Sequence, residues 1–481
     1  MSGDDVMHAR TDMNHRTREA HPRAAAAGMV VALLMFVGTV PARAASSNPP
    51  MTLQQAVDFG LAHNAAVIKA EADAETAGAT LAQTRSVTLP LVSGEVQSQL
   101  NQQTVNASGS FSQIGATVSP RFSQNTAAVR GDFNGMNLTN IYAARSAKQS
   151  YDQANEHLRL TREQTTLDIE SSYYTIMQDA ELTRIAQEDV NYQRSLEAVA
   201  AANFRAGKVA GIDQLRAQTA YTGALERLAS AQADEQDARE NLAQLIGASM
   251  DQRFVLPESM PEPPQPNLDV QILNQIALAN RPEVAIAQAQ LELAYIAANN
   301  VNAPNRPNVS VASAWGNQVS PTNNANFFNS CTHAGFPPSA CGPVTPSHFY
   351  EISVVSTWQL PFLDWGSLHA AHDSTREQIV SSGINLAHAK QQALIDVDQA
   401  VRRLLVNRTN LTLATQNAVV ARQAADIAAA QYRVGVNSQT DVSAAQNAYL
   451  VAARDLLNAQ VSYVLSIANL KKATGTLTSA V

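Results

Sequence analysis

The stretch that decides the fold occurs twice. Residues 60–92 read GLAHNAAVIKAEADAETAGATLAQTRSVTLPLV, and residues 277–309 read ALANRPEVAIAQAQLELAYIAANNVNAPNRPNV. Leu61 aligns with Leu278, Val67 with Val284, Pro90 with Pro307 and Val92 with Val309, always 217 residues apart and without a gap. Further along, FRAGKVAGID at 204–213 aligns with YRVGVNSQTD at 432–441, and Gly247 with Gly475, always 228 residues apart. Self-similarity at a fixed offset means that the chain builds one unit twice. The second copy carries 228 − 217 = 11 extra residues between Pro307 and its next helix.

The rest of the chain is organised around this duplication. Residues 1–44 read as an export signal: Arg10, Arg16, Arg18 and Arg23 precede an apolar run at 24–40, followed by Pro41 and the small-x-small triplet Ala42-Arg43-Ala44. A membrane anchor is the alternative for this segment. Ala45 in place of a cysteine argues against lipid-anchored export. The first repeat is expected at 45–256, a proline-rich linker (PESMPEPPQP) within 257–267, the second repeat at 268–475 and a short tail at 476–481.

Each repeat has one order of elements: helix, β-hairpin, long helix, turn, helix. Helices are predicted at 52–85 and 268–302, at 137–204 and 366–432, and at 212–246 and 440–474. The two longest contain no proline and would each run roughly 100 Å at 1.5 Å per residue. A globular domain has no use for such a rod. Leu394, Val397, Val401 and Leu404 in the second copy, and Ile169, Tyr173 and Ile176 in the first, fall at heptad-like spacings. Such a stripe packs helices side by side at shallow crossing angles. Ala421, Ala424, Ala425, Ala428 and Ala429 offer small surfaces for close approach.

The hairpins alternate. Tyr350, Ile352, Val354, Trp358 and Leu360 oppose Glu351, Ser353, Thr357 and Gln359, with Ser356 and Val355 as exceptions. Val309, Val311 and Trp315 repeat the pattern, as do Val92, Val96 and Leu100 against Ser93, Glu95, Gln97, Gln99 and Asn101. The return strand of the first hairpin is weaker: Ala127, Val129 and Phe133 oppose Thr126, Arg130 and Asp132. Alternating segments of about ten residues fit strands with one face to lipid and one to a lumen. A half-buried strand in a soluble sheet would alternate in the same way. Four strands cannot close a barrel, and open edges are forbidden in lipid, so strands that cross a bilayer must be shared among several protomers.

Composition excludes other classes. Among 481 residues, 45% are hydrophobic, 15% charged and 5% aromatic, with a formal net charge of −8. The charge rules out a strongly basic nucleic-acid binder. After the first forty or so residues there is no second long apolar run, so an ordinary helical membrane protein is excluded too. Two cysteines exclude a disulfide-built scaffold.

The duplicated order of elements resembles the TolC family of outer-membrane efflux and secretion channels. The likeness extends over nearly the whole mature chain. It is carried by ALANRPEV at 277–284, the Leu89-Pro90 entry to the first strand, LPFLDWG at 360–366, and the two F/Y-R-x-G turns. The resemblance implies a mainly α fold with a small β part. It implies a long coiled-coil helical barrel and a transmembrane β-barrel shared by a homotrimer, four strands per protomer. It also implies an outer-membrane exit duct reaching into the periplasm, a periplasmic adaptor (membrane fusion) protein, an inner-membrane pump, contact with outer-membrane lipid, no nucleic acid, no cofactor and no catalysis. A type I protein-secretion conduit is the alternative within the fold. A non-channel structural or adhesive coiled-coil envelope protein is the alternative outside it.

The family closes its periplasmic tip at the turns between the long and final helices. Carried over by position, the aperture candidates are Asp213, Tyr432, Asn437 and Asp441, with Arg205 and Arg433 as nearby cations. Gly207 and Gly435 end the long helices, where a left-handed residue favours glycine. Asp213 and Asp441 also suit the starts of the following helices electrostatically. Studied members carry an arginine where this chain has Asn437 and an acid where it has Ala444, so the familiar ionic lock is incomplete here.

Cys331 and Cys341 sit ten residues apart in a Gly/Pro/Asn-rich stretch of the second hairpin. In an exported protein they are expected to form a disulfide, with free thiols as the alternative. His369 and His372 lack further ligands for a metal site. No P-loop, dinucleotide fingerprint or Ser-His-Asp order is present.

Overall fold

The computed structural model describes residues 50–102, 121–207, 209–257, 266, 268–319, 347–360, 364–434 and 436–477. All of them lie in one unit, Asn48–Val481. The expected export signal, most of the proline-rich linker, Gly435 and the Cys331–Cys341 pair lie outside the described residues.

The first helix of each repeat is broken where one continuous helix was predicted. In the first copy, α1 (Leu53–His63) and α2 (Ala65–Ser86) meet at Asn64, whose side-chain Oδ1 accepts from the N–H groups of Ala66 and Val67 and so starts a new helix. In the second copy, α5 (Val270–Asn280) and α6 (Pro282–Val301) meet at Arg281. Pro282 has no N–H to continue the first helix, and it suits the first position of the next. The break recurs at corresponding positions for two different chemical reasons.

The long helices are α3 (Leu138–Arg205, 68 residues) and α7 (Ser367–Arg433, 67 residues). The final helices are α4 (Gly211–Ile246) and α8 (Gln439–Ala473). Helix α3 packs against both α2 and α4, and α7 against both α6 and α8; α6 and α8 also touch α3. Each long helix is therefore flanked by two shorter ones set end to end. The joins are tight. Asn64 Nδ2 donates to the Leu245 carbonyl at 2.8 Å, closing α1–α2 onto the end of α4. Gly475, at φ +66°, brings the end of α8 so close to α5 that a Cβ would stand 2.8 Å from the Asn280 carbonyl oxygen.

The predicted seam is buried. Ile169, Tyr173 and Ile176 pack with Leu242, Ile246, Ala56 and Val57. Val397, Val401 and Leu404 pack with Ile467, Leu470 and Ala277, while Leu394 is only half-buried. Of the alanine run, Ala425, Ala428 and Ala429 are buried and Ala424 is exposed.

The strands β1 (Leu91–Gln102), β2 (Arg121–Met136), β3 (Asn308–Val319) and β4 (Ser347–Thr357) form one antiparallel sheet in that order. The two hairpins thus pair with each other through β2 and β3, with an irregularity between Phe133 and Met136. Among the described residues, β1 and β4 are the outer strands of this sheet.

The two joins predict a graded response to methyl addition. Gly475→Ala adds a collision to an unfavourable φ and is expected to cost about 1–3 kcal/mol of stability. Gly207→Ala, also at positive φ but with nothing within 4 Å of the new Cβ, is expected to cost less. Thermal unfolding of the two purified variants measures the difference; equal losses would remove the collision at the α5–α8 join.

Candidate functional site

The sheet separates two chemistries across its faces. Residues opposed in an antiparallel ladder share a face. One face carries Val92, Val129, Trp315, Tyr350, Phe133, Val311 and Val354, in rows such as Val129–Trp315–Tyr350 and Phe133–Val311–Val354. Trp315, Tyr350 and Val354 each expose about two-thirds of their area within this protomer (64%, 70% and 66%). The other face carries Ser93–Arg130–Ala314–Glu351 in one row, with Glu95 in the next. Arg130 Nε meets Glu95 Oε2 at 2.5 Å across β1 and β2. An exposed aromatic-aliphatic face backed by a charged face is what a strand between lipid and water requires.

At the other end of the long helices, α3 runs out at Arg205 and turns through Gly207 at φ +69°. Asp213 lies in the first turn of α4, 3.6 Å from Arg216 Nη1. Asp441 lies in the first turn of α8 and completes a capping box: its carboxylate accepts the Ser438 hydroxyl at 2.7 Å, and its N–H donates to that hydroxyl at 3.2 Å. Asn437 Nδ2 donates to Gln431 Oε1 at 2.9 Å, and Arg205 Nε to the Ala201 carbonyl at 3.3 Å. Tyr432 is buried with Leu196, Ala428 and Val442. Its hydroxyl has no hydrogen-bond partner among the described residues. Burial raises the Tyr432 pKa, and the negative charge of Asp213 adds to the rise. Arg433 acts on Tyr192: burial pushes that phenol up to about 12, and the guanidinium opposes it. The structure thus brings Asp213 close enough to Tyr432 to act on it across the two repeats. The bonds of Asn437, Asp441 and Arg205 stay within their own turns.

Residues 273–476 match the sequence model of the outer membrane efflux protein family. The match covers the second of the two repeats. No curated protein sequence matches it. Its fold is that of solved outer-membrane proteins. The outer-membrane channel OprN aligns at 18% identity and a TM-score of 0.70, over 88% of this chain and 89% of that one. The outer membrane protein VceC of Vibrio cholerae aligns at 16% identity and 0.70, over 88% and 96%. The CmeC outer membrane channel of Campylobacter jejuni aligns at 14% identity and 0.72, over 95% and 94%. OprN and CmeC are both described as outer-membrane channels.

Two polar groups inside the helical part are not apparent from the sequence. Asp189 on α3 is 2% exposed. It holds Arg227 Nη2 of α4 at 2.6 Å and Gln446 Nε2 of α8 at 3.0 Å, with Gln193 of its own helix at 3.3 Å. One carboxylate therefore ties three helices. The second group lies where the long and short helices meet. Arg281 makes a two-pronged contact with Glu283 at 3.0 and 3.2 Å and reaches Asp396 of α7 at 2.7 Å. Burial opposes the Arg281 charge, but its bonds to Glu283 and Asp396 outweigh that and raise its pKa. Glu163 of α3 is 1% exposed, and its Oε1 has no partner among the described residues. Burial pushes its pKa up to about 7; Arg159, Lys472 and Arg281 pull it down, while Glu283 pushes it further up.

Glu163 makes stability depend on pH with a defined sign. Its folded pKa is raised from 4.5 to about 7, so the folded state keeps a proton that the unfolded chain releases. The associated stability is present below about pH 4.5 and is lost as pH rises to about 7. Thermal melts should show Glu163→Gln flattening this part of the pH profile; an unchanged profile would exclude the group. Removing the partner of Asp189 by Arg227→Met should cost about 2–3 kcal/mol in denaturant unfolding, because a buried carboxylate loses its cation. Arg227→Lys should recover part of the loss.

Proposed function

We propose that three copies of the chain form the exit duct of a tripartite efflux system. It carries small molecules from an inner-membrane pump and a periplasmic adaptor protein to the exterior. The observation that supports this most is the four-stranded sheet, with β1 and β4 as its outer strands among the described residues. The strands have 12, 16, 12 and 11 residues, enough to cross a bilayer when tilted. An edge in hydrocarbon leaves backbone groups without partners, and four strands are too few to close on themselves. Joining β4 of one copy to β1 of the next removes every edge, and three copies give twelve strands. The charged face, with Arg130, Glu95 and Glu351, then lines the lumen. The helices, roughly 100 Å long, extend the duct through the periplasm. Transport is passive; the pump supplies the energy.

Residues 1–44 serve as the export signal in this scheme, and the mature chain starts at Ala45. Asp213, Tyr432 and Asn437 restrict the periplasmic aperture, taking the place of the ionic lock that Asn437 and Ala444 leave incomplete.

The purified protein should migrate as a heat-modifiable trimer and conduct ions in planar bilayers. Monomeric migration without conductance would overturn the duct. Replacing Asp213, Tyr432 and Asn437 together with alanine should raise single-channel conductance; unchanged conductance would remove them from the aperture. Deleting the gene should lower tolerance to small toxic compounds. Unchanged tolerance with loss of a secreted protein would assign the duct to protein secretion instead.

A further inference from the structure

Trp365 combines two features that a folded chain ordinarily avoids. Its φ is +53°, the one positive value outside glycine among the described residues. Bulky L-residues rarely enter that region. Its side chain is also 98% exposed, although an indole carries a large apolar surface. The neighbouring residues hold it in this position. The Asp364 carboxylate accepts the N–H of Gly366 at 3.2 Å and that of Leu368 at 2.7 Å, and Ser367 N–H donates to the Asp364 carbonyl at 3.0 Å. Gly366 follows at φ +87° and caps α7. The turn is well bonded on both sides of a ring that touches almost nothing in its own protomer.

The place of the ring in the fold says what it meets. Strand β4 ends at Thr357 and α7 begins at Ser367, so Trp365 stands where the sheet gives way to the helices. The apolar side of β4 bears Tyr350, Ile352 and Val354, and the chain beyond it adds Trp358 and Leu360, each 54% exposed. The apolar band therefore runs off the strand toward Trp365 at the helical end of the sheet. Where a lipid-facing band stops, the bilayer passes into its headgroup layer. Indole, apolar with one N–H donor, partitions to that layer.

We propose that Trp365 is a membrane-interface anchor. Its ring enters the headgroup–acyl boundary of the periplasmic leaflet of the outer membrane and fixes the depth at which the junction of sheet and helices sits. The proposal rests on the reading that the sheet spans the bilayer. The partner is a lipid surface, and the strained turn exists to present the ring to it.

The chain has three tryptophans, Trp315, Trp358 and Trp365, so single-tryptophan proteins need only two substitutions. Trp315→Phe with Trp358→Phe leaves Trp365 as the reporter. Trp358→Phe with Trp365→Phe leaves Trp315, which lies within the apolar band. Each full-length protein is reconstituted in phosphatidylcholine vesicles brominated either near the glycerol end of the acyl chains or near the bilayer midplane. Trp365 fluorescence should fall at least twofold with the shallow bromines and less with the deep ones, while Trp315 is quenched as well. Quenching of Trp315 without quenching of Trp365 would overturn the anchor and leave the duct standing, whether the ring is in water or under a neighbouring subunit. Absence of quenching at both positions would take the sheet out of the bilayer and overturn both readings.

Discussion

A peptide group in hydrocarbon has no water to bond. In the duct proposed above, that constraint governs the sheet and, through it, the assembly. Among the described residues, four antiparallel strands satisfy their inner ladders, and no further strand pairs with the outer sides of β1 and β4. In water such an edge would be a liability to be blunted with charge or proline. Here both edges remain available, and the pairing of the two hairpins through β2 and β3 sets them at opposite sides of one sheet. The same constraint explains why the faces differ. Once backbone groups are paired, only side chains distinguish lipid from lumen, and Val129–Trp315–Tyr350 and Arg130–Ala314–Glu351 sort themselves by the pleat alone.

The helical part solves a different problem. Rods of this length bury little area per residue against each neighbour, so each long helix gains stability by touching several others. Small residues permit this. Ala425, Ala428 and Ala429 are buried on α7, and Ala452, Ala453 and Ala468 on α8. Aromatic residues are few because few positions have room for them. The duplication then lets one packing solution serve twice: Gly247 against His63 and Gly475 against Asn280 close equivalent joins in the same way, and the Asn64–Leu245 bond is added at the first.

Much of this was legible in the sequence because it depends on period and on the absence of breakers. The proline-free stretches gave rods, the heptad spacing of Ile169, Tyr173 and Ile176 gave a buried seam, and alternation gave the strands, even the weak one around Val129. The breaks at Asn64 and Arg281 were missed because a cap competes with a helix locally while periodicity continues through it. Asp189 and Glu163 were missed for another reason. Their partners or neighbours, Gln446 and Glu283, are far off in sequence, and a lone acid in a long polar helix looks solvated. One signal was present for Asp189. It sits four residues after Ile185 and seven before Leu196, within the buried stripe, where a polar residue ordinarily serves register rather than solubility. The aperture candidates were placed by resemblance. No local pattern would have shown that Tyr432 is buried within its own protomer.

The position of Asp189 has a mechanical consequence. Between it and the tip, α3 continues to Arg205 through contacts with Ala428, Tyr432 and Val442, packed around Leu196. Among the described residues, no ion pair joins different helices below the Asp189–Arg227 pair; Asp213–Arg216 lies within one helix. Apolar contacts are non-directional and tolerate small sliding, whereas a buried carboxylate with fixed partners has one good geometry. The helices are thus pinned at Asp189 and more yielding beyond it. In the proposed duct, motion that widens the tip would therefore bend the last turns of α3 about that fixed point rather than tilt the entire rod.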